Sequence, residues 1–332
     1  MARALVNFAF FIRLIASFPM SRLTLRLSSV TLVALTFLWG AIPAQGQETP
    51  RDGHTINDLK HPESVAASPD GESFYAANIG AKLAPLTKDG DGFISRLSPD
   101  GSVETLRFLP AASSDATLHA PKGTVVLDGH LYTADIDRVV GFDLDTRRKS
   151  TEVDLASHGV KFVNDIAVAD AQTLFASATK QGRIYRIDLA AGTATALDVA
   201  VPGVNGLAYA ATDGTLYAVT FGGPKKGALW TLTMTDDGTV QASSTRSVQD
   251  DGRFDGIVRR GDQLFISSWG VKGTSGPALY RITEAGRGAV TRIPLSGWKG
   301  AADFDCAPDR GCWIPDLPGS AVTVVRPTDR TP

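Results

Sequence analysis

Glu63, Asn164, Asn205 and Asp255 stand at the same place in four copies of one short motif, and between them they offer two carboxylates and two amides. These are hard oxygen donors of the kind Ca²⁺ takes, with waters completing a shell of roughly six to eight ligands. The copies are Pro62-Glu63-Ser64-Val65-Ala66, Val163-Asn164-Asp165-Ile166-Ala167, Gly203-Val204-Asn205-Gly206-Leu207-Ala208 and Phe254-Asp255-Gly256-Ile257-Val258. Two further copies carry no oxygen donor at that place: Pro121-Lys122-Gly123-Thr124-Val125 and, more distantly, Ala301-Ala302-Asp303-Phe304-Asp305. Asn-Gly, Asp-Gly and Asn-Asp are also plain turn dipeptides. Here each precedes an apolar run instead of joining the two arms of a hairpin, which favours a ring of donors.

A ring needs elements that bring the copies together, and the spacing supplies them. From Glu63 the steps to Lys122, Asn164, Asn205, Asp255 and Ala302 are 59, 42, 41, 50 and 47 residues, the lengths of propeller blades. An aromatic follows every copy by 10 to 12 positions: Tyr75, Tyr132, Phe175, Tyr217, Phe265 and Trp313. Each sits in a β-rich run, and third and fourth runs follow, separated by turn signals such as Pro69-Asp70-Gly71, Pro99-Asp100-Gly101 and Asp236-Asp237-Gly238. Five units have four strands and the sixth has three. Thr55–Leu59 precedes Glu63 as other fourth strands precede the next copy, so it is expected to complete the last unit. The fold class expected is all-β: a six-bladed β-propeller over residues 47–332. A sandwich gives no reason for six motif–aromatic pairs, and two domains would leave half-rings with exposed edges.

Inner strands line a propeller's channel, so the motif residues are expected at one mouth. The second strand of each blade runs back to that mouth, ending at Asn78, Asp135, Ala178, Thr220, Ser268 and Asp316. That places Asp135 in the blade of Lys122, where the two are expected to pair, either as substrate contacts at the mouth or as a purely structural ion pair. His119, three residues before Lys122, is a candidate base or substrate contact, or an ordinary loop residue. Ser268 and Trp269 are candidates to wall the pocket, with core packing the alternative for Trp269. The loops Ala81–Gly92 and Leu109–Ala120 are the longest departures from the repeat and are candidates for a rim over the site.

The first 46 residues carry Arg3, Arg13, Arg22 and Arg26 and no acid. Basic residues, the apolar run Val30–Ile42 and then Pro43-Ala44-Gln45-Gly46 read as a secretory signal, cut near Ala44 or Gly46, with Met20 as an alternative start. Val30–Ile42 is short for a membrane span, so no stable span is expected after cleavage. The remaining chain has a net charge of −6, because those four arginines are among 33 basic side chains against 35 acidic ones. That excludes the footprint of a nucleic-acid binder. Cys306 and Cys312, the only cysteines, suit a hairpin disulfide in a periplasmic or secreted protein. Asp89-Gly90-Asp91-Gly92 is not a calcium loop, since Phe93 and Ile94 follow. Gly222–Gly227 lacks the spacing of a phosphate loop, and no Gly-x-Ser-x-Gly elbow occurs.

This layout, with Glu63 ahead of the first unit and Asn164-Asp165, Asn205-Gly206 and Asp255-Gly256 in later ones, resembles the senescence marker protein/gluconolactonase family and its relatives diisopropylfluorophosphatase and paraoxonase. The resemblance spans nearly all of the chain after residue 46, on short motifs. It implies a divalent metal, usually calcium, held by Glu63, Asn205 and Asp255, with Asn164 a ligand or substrate contact and Asp255 the base or nucleophile. It further implies hydrolysis of lactone- or ester-type small molecules. Lys122 and Ala302 depart from that pattern. They favour the alternative of a non-catalytic propeller that binds a sugar or protein partner; a strictosidine synthase-like enzyme is a third reading.

Overall fold

The structure, a computed structural model, describes residues 52–222, 227–235, 238–248, 252–271 and 273–327. The expected signal over residues 1–46, the turn residues Asp236 and Asp237 and most of the Gly222–Gly227 loop lie outside the described residues. Among the described residues there are six four-stranded antiparallel sheets and no α-helix. No helix among the described residues is long and apolar enough to cross a membrane. The architecture is the six-bladed β-propeller expected from the repeat.

Blade one comprises Pro62–Ala67, Phe74–Asn78, Phe93–Leu97 and Val103–Leu109, paired in chain order. Blades two to five repeat that meander, beginning at the inner strands Pro121–Leu127, Val163–Asp170, Val204–Ala210 and Phe254–Arg260. Blade six has Asp305–Ala307, Gly311–Asp316 and Ala321–Val325 from the C-terminal end, and its fourth strand is Thr55–Ile56, with Thr55 opposite Thr323 and Ile56 opposite Val322. The inner strands of neighbouring blades pack against one another around a common axis, blade six against blade one included.

The core consists of six apolar seams, one between each pair of neighbouring blades. The seam between blades two and three, for example, packs Tyr132 and Val139 against Val163 and Leu174. The seam between blades six and one packs Ile56, Leu59, Val65 and Phe74 against Trp313, Val322 and Val324. All six repeating aromatics are buried in these seams. Trp313, fully buried, stacks on Phe74 with ring centroids 3.8 Å apart. A large flat side chain once per blade fills the wedge between twisted sheets, which is why the aromatic recurs with the repeat. Inner strands are buried on both faces, whereas outer strands such as Val103–Leu109 are exposed over most of their length. The disulfide joins Cys306 and Cys312, directly paired across the hairpin of blade six, as expected.

Candidate functional site

In five blades the motif residue sits in a β-bulge of the inner strand. Val163 pairs with Ala178 and Ile166 with Ala176, so Asn164 and Asp165 together face Ser177. Asn205-Gly206, Asp255-Gly256 and Lys122-Gly123 are bulged in the same way, and in blade one Glu63 is the extra residue. A bulge removes a residue from the ladder and re-aims its side chain, and here the re-aimed side chains are the polar ones. Facing serines hold the bulges: Asp165 N–H donates to Ser177 Oγ at 2.9 Å and Gly256 N–H to Ser267 Oγ at 2.8 Å. Blade six differs, because Ala302 precedes its short inner strand.

Glu63, Asn164, Asn205 and Asp255 are all at least 95% buried. One oxygen of each, Glu63 Oε2, Asn164 Oδ1, Asn205 Oδ1 and Asp255 Oδ1, is buried with no hydrogen-bond partner. A single such atom costs about 1–3 kcal/mol. Four such atoms lie on the inner strands of four blades. Among the described residues no three His, Cys, Asp or Glu side chains are grouped for a metal; the donor set is two carboxylates with two amides, which suits a hard cation and not zinc.

The electrostatics point the same way. Burial pushes the Glu63 carboxyl well above its ordinary range, the charge of Asp255 adds to this, and Lys122 opposes it. Burial raises Asp255 to about 7, against the lowering effect of its hydrogen bonds to Trp269 and Asn205. Trp269 Nε1–H donates to Asp255 Oδ2 at 2.5 Å, so that oxygen is fixed while Oδ1 stays open. Trp269, which follows Ser268, is thereby tied to the ring residue Asp255.

Lys122 is fully buried in the same ring. Burial lowers its ammonium to about 8, against the raising effect of Glu63 and Asp135. Its Nζ donates to Ala120 O at 2.9 Å and lies 5.0 Å from the centre of the Phe162 ring. The expected Lys122–Asp135 ion pair is absent. Asp135 instead accepts the backbone N–H groups of His119 and Ala120 and pairs with Arg138 at 2.9 Å. Asp135 is fully buried and its acceptor capacity is taken, so it is not placed to meet a substrate. The same correction applies to Ser268, fully buried, whose Oγ accepts Gly270 N–H at 3.0 Å. His119 Nδ1 accepts Gly90 N–H at 3.1 Å, and Gly92 N–H bonds Leu118 O at 3.1 Å. The two long loops are thus tied to each other, with His119 as a loop clamp.

Similar solved structures share the fold. A hydrazine synthase from Kuenenia stuttgartiensis superposes with a TM-score of 0.55 at 14% identity, covering 81% of this chain and 76% of that one. Virginiamycin B lyase from Staphylococcus aureus gives 0.55 at 15% identity, over 82% of this chain and 99% of the lyase. A 6-phosphogluconolactonase candidate from Bacteroides uniformis gives 0.56 at 15% identity, over 81% of each chain. No protein-family model and no curated protein matches the chain. Likeness at these identities is a likeness of fold.

Two aspartates that sequence reasoning passed over lie next to the ring. Asp165 and Asp303 are both buried and hydrogen-bonded to each other, and burial raises both, Asp165 to about 7. Asp165 also spans blades, accepting Leu207 N–H at 2.6 Å and Ile166 N–H at 2.7 Å. Beyond them the channel opens toward the other face as a cavity of about 340 Å³, lined by all six inner strands, with Asp165 and Asp303 in its wall. The available signal was the residue after each motif position: Ser64, Gly123, Asp165, Gly206, Gly256 and Asp303, where two acids alternate with residues too small to obstruct them.

Proposed function

We propose that this chain is an exported hydrolase of lactone- or ester-type small molecules, working with a divalent cation, calcium by preference, held by Glu63, Asn164, Asn205 and Asp255. The observation that carries this reading is the set of four buried, partnerless oxygens on the inner strands of blades one, three, four and five. An ion bound there would polarise the carbonyl oxygen of the scissile ester. Asp255 is also the residue for the proton: its Oδ2 is fixed by the indole N–H of Trp269, and burial raises its carboxyl to about 7 without a cation, a value that a bound cation would lower. Ionised beside that cation, the Asp255 carboxylate would withdraw a proton from water or attack the carbonyl directly. Trp269 orients Asp255, and Phe221, edge-on to Trp269 at 5.6 Å, backs the indole. The disulfide of blade six fits the oxidising compartment that export implies.

Calorimetry with CaCl₂ on the chain freed of residues 1–46 tests the ion site, with one site expected. A panel of sugar lactones, acyl lactones and phosphotriesters, assayed with calcium and with chelator, tests the chemistry. Chelator-insensitive turnover, or no calcium binding, would sink the mechanism. The ammonium of Lys122 favours a second reading, a propeller that binds a sugar or protein partner at this mouth without turnover; calcium-independent binding with no hydrolysis of any member of the panel would select it.

A further inference from the structure

Beside the ring lies a second cavity of about 470 Å³, lined by Arg253, Trp269, Val271, Pro277 and Lys299 among others. Trp269 connects the two places. Its indole N–H is on Asp255, and its ring forms part of the cavity wall. The ring also lies against Gly300, where a Cβ would fall 2.7 Å from Trp269 Cε3, so glycine is required beside it.

The charge of this cavity is one-sided. Arg253 and Lys299 line it, and among the described residues no carboxylate does. Arg253 is held by Nε to Gly270 O at 2.8 Å and by one terminal nitrogen to Trp269 O at 3.2 Å, with its guanidinium carbon 5.8 Å from the Trp269 ring centre. Its other terminal nitrogen, Nη1, has no protein partner among the described residues. The Lys299 ammonium has none either; the carboxylate of Asp316 is turned to the backbone, accepting the N–H groups of Lys299 at 3.1 Å and Gly300 at 3.0 Å. Arg253 is thus anchored by Nε and one terminal nitrogen and Lys299 by its backbone, which leaves Nη1 and the exposed ammonium for something else.

We propose that this cavity is the subsite for an anionic substituent of the substrate. The scissile ester sits at the oxygen ring, an apolar or ring portion lies along the Trp269 indole, and a carboxylate or phosphate on the same molecule is taken by Arg253 Nη1 and Lys299 Nζ. Fixed guanidinium donors with a second cation suit both oxyanions, and such charge-assisted bonds are the strong ones. The inference rests on the hydrolase reading only for what happens at the ring; the anion subsite stands on the cavity itself.

Two measurements separate the claims. In the first, kcat/KM is compared for a neutral lactone and for the same ring carrying a carboxylate or a phosphate, in wild type and in Arg253→Gln/Lys299→Gln, with calcium present. Wild type is expected to favour one charged lactone over the neutral one, and the double variant to lower that ratio at least tenfold, chiefly through KM; an unchanged ratio overturns the subsite. In the second, a non-hydrolysable hydroxycarboxylate and inorganic phosphate are titrated calorimetrically into both proteins without calcium. Binding of one anion to wild type, at least tenfold weaker in the variant, supports the subsite and says which oxyanion it takes. Equal binding to both proteins, or binding to neither, overturns it whatever the enzyme does. Anion binding retained beside absent calcium binding would remove the hydrolase reading and keep the subsite. Lys299→Gln alone, at an exposed position, gives the same comparison should the double variant fold poorly.

Discussion

Replacing Lys122 by methionine should tighten calcium binding, because the ammonium shares the ring with the proposed ligands and is held in place by Ala120 O at 2.9 Å. No ion pair within 4 Å joins Lys122 to Glu63, so the ammonium stands off the carboxylate by more than that distance. At roughly 6–8 Å and an effective dielectric of about 20, a dication and an ammonium repel by about 4–6 kcal/mol. Part of that is returned. Lys122 lowers the proton affinity of Glu63, so its loss leaves a carboxyl harder to ionise, and a ligand must be ionised before it binds. The balance expected is a gain of about 1.4–2.8 kcal/mol, or roughly ten- to a hundredfold. Methionine keeps the length of the stem and its contact with Phe162. The assay is calcium calorimetry from pH 7 to 9. The ammonium is centred near 8, so wild-type affinity should rise across that window as the charge is lost, and the variant should keep only the rise that comes from ionising Glu63 and Asp255. Affinity unchanged or weakened in a variant of normal melting temperature would refute the reasoning: the ion would then sit away from Lys122, or the ammonium would serve chiefly to keep Glu63 ionised.

Other outcomes follow from the same residues. Glu63, Asp165, Asp255 and Asp303 all hold protons more tightly than free carboxyls do. Between about pH 4 and 7 the folded chain therefore binds more protons than the unfolded one, and stability in chelator should fall as pH rises through that window. Calcium must displace those protons, so the melting temperature it adds should be larger at pH 8 than at pH 5; the reverse order would place the ion elsewhere. Asp255→Asn should cut kcat/KM on the turned-over lactone at least a hundredfold with the fold intact, and equal turnover would remove Asp255 from the chemistry. Trp313→Ala, which empties the stack on Phe74, should cost about 3–5 kcal/mol in urea unfolding while leaving calcium binding per folded molecule unchanged.

The repeat made the fold legible: a motif, an aromatic and four β-rich runs recur six times, and each recurrence corresponds to a blade, a seam and a meander. Glu63, Asn164, Asn205 and Asp255 were legible for the same reason, since equal places in a repeat become neighbouring places around an axis. Asp135 and Ser268 were misread because a polar residue at a strand end has two fates that look alike in sequence. It can face the mouth, or it can turn back and satisfy backbone N–H groups, as Asp135 does for His119 and Ala120. Asn78, Thr220 and Asp316 do likewise for Lys60, Ala228 and Gly300. Arg253 carried no signal at all, being one of 33 basic residues whose importance comes from a cavity formed by segments distant in the chain.

The residue after each motif position explains how so much charge is accommodated in one channel. In four blades the bulge takes two consecutive residues out of the ladder, which crowds side chains around the axis. Glycine relieves this at the places where an aspartate reaches over. A Cβ on Gly123 would come within 2.3 Å of Asp165 Oδ1, and one on Gly256 within 2.3 Å of Asp303 Oδ1. Gly206 clears the backbone of the next blade, its Cβ position lying 2.2 Å from Asp255 O. The three small residues therefore make room for a hydrogen-bonded pair of acids between the oxygen ring and the far cavity. Protonated, that pair carries little charge and forms a floor; ionised, it would add negative potential beneath a site already short of cations. Metal affinity, proton uptake and the fit of the inner strands are thus coupled through one pair of positions, and a substitution at Gly123 or Gly256 is felt at the ring without touching any ligand.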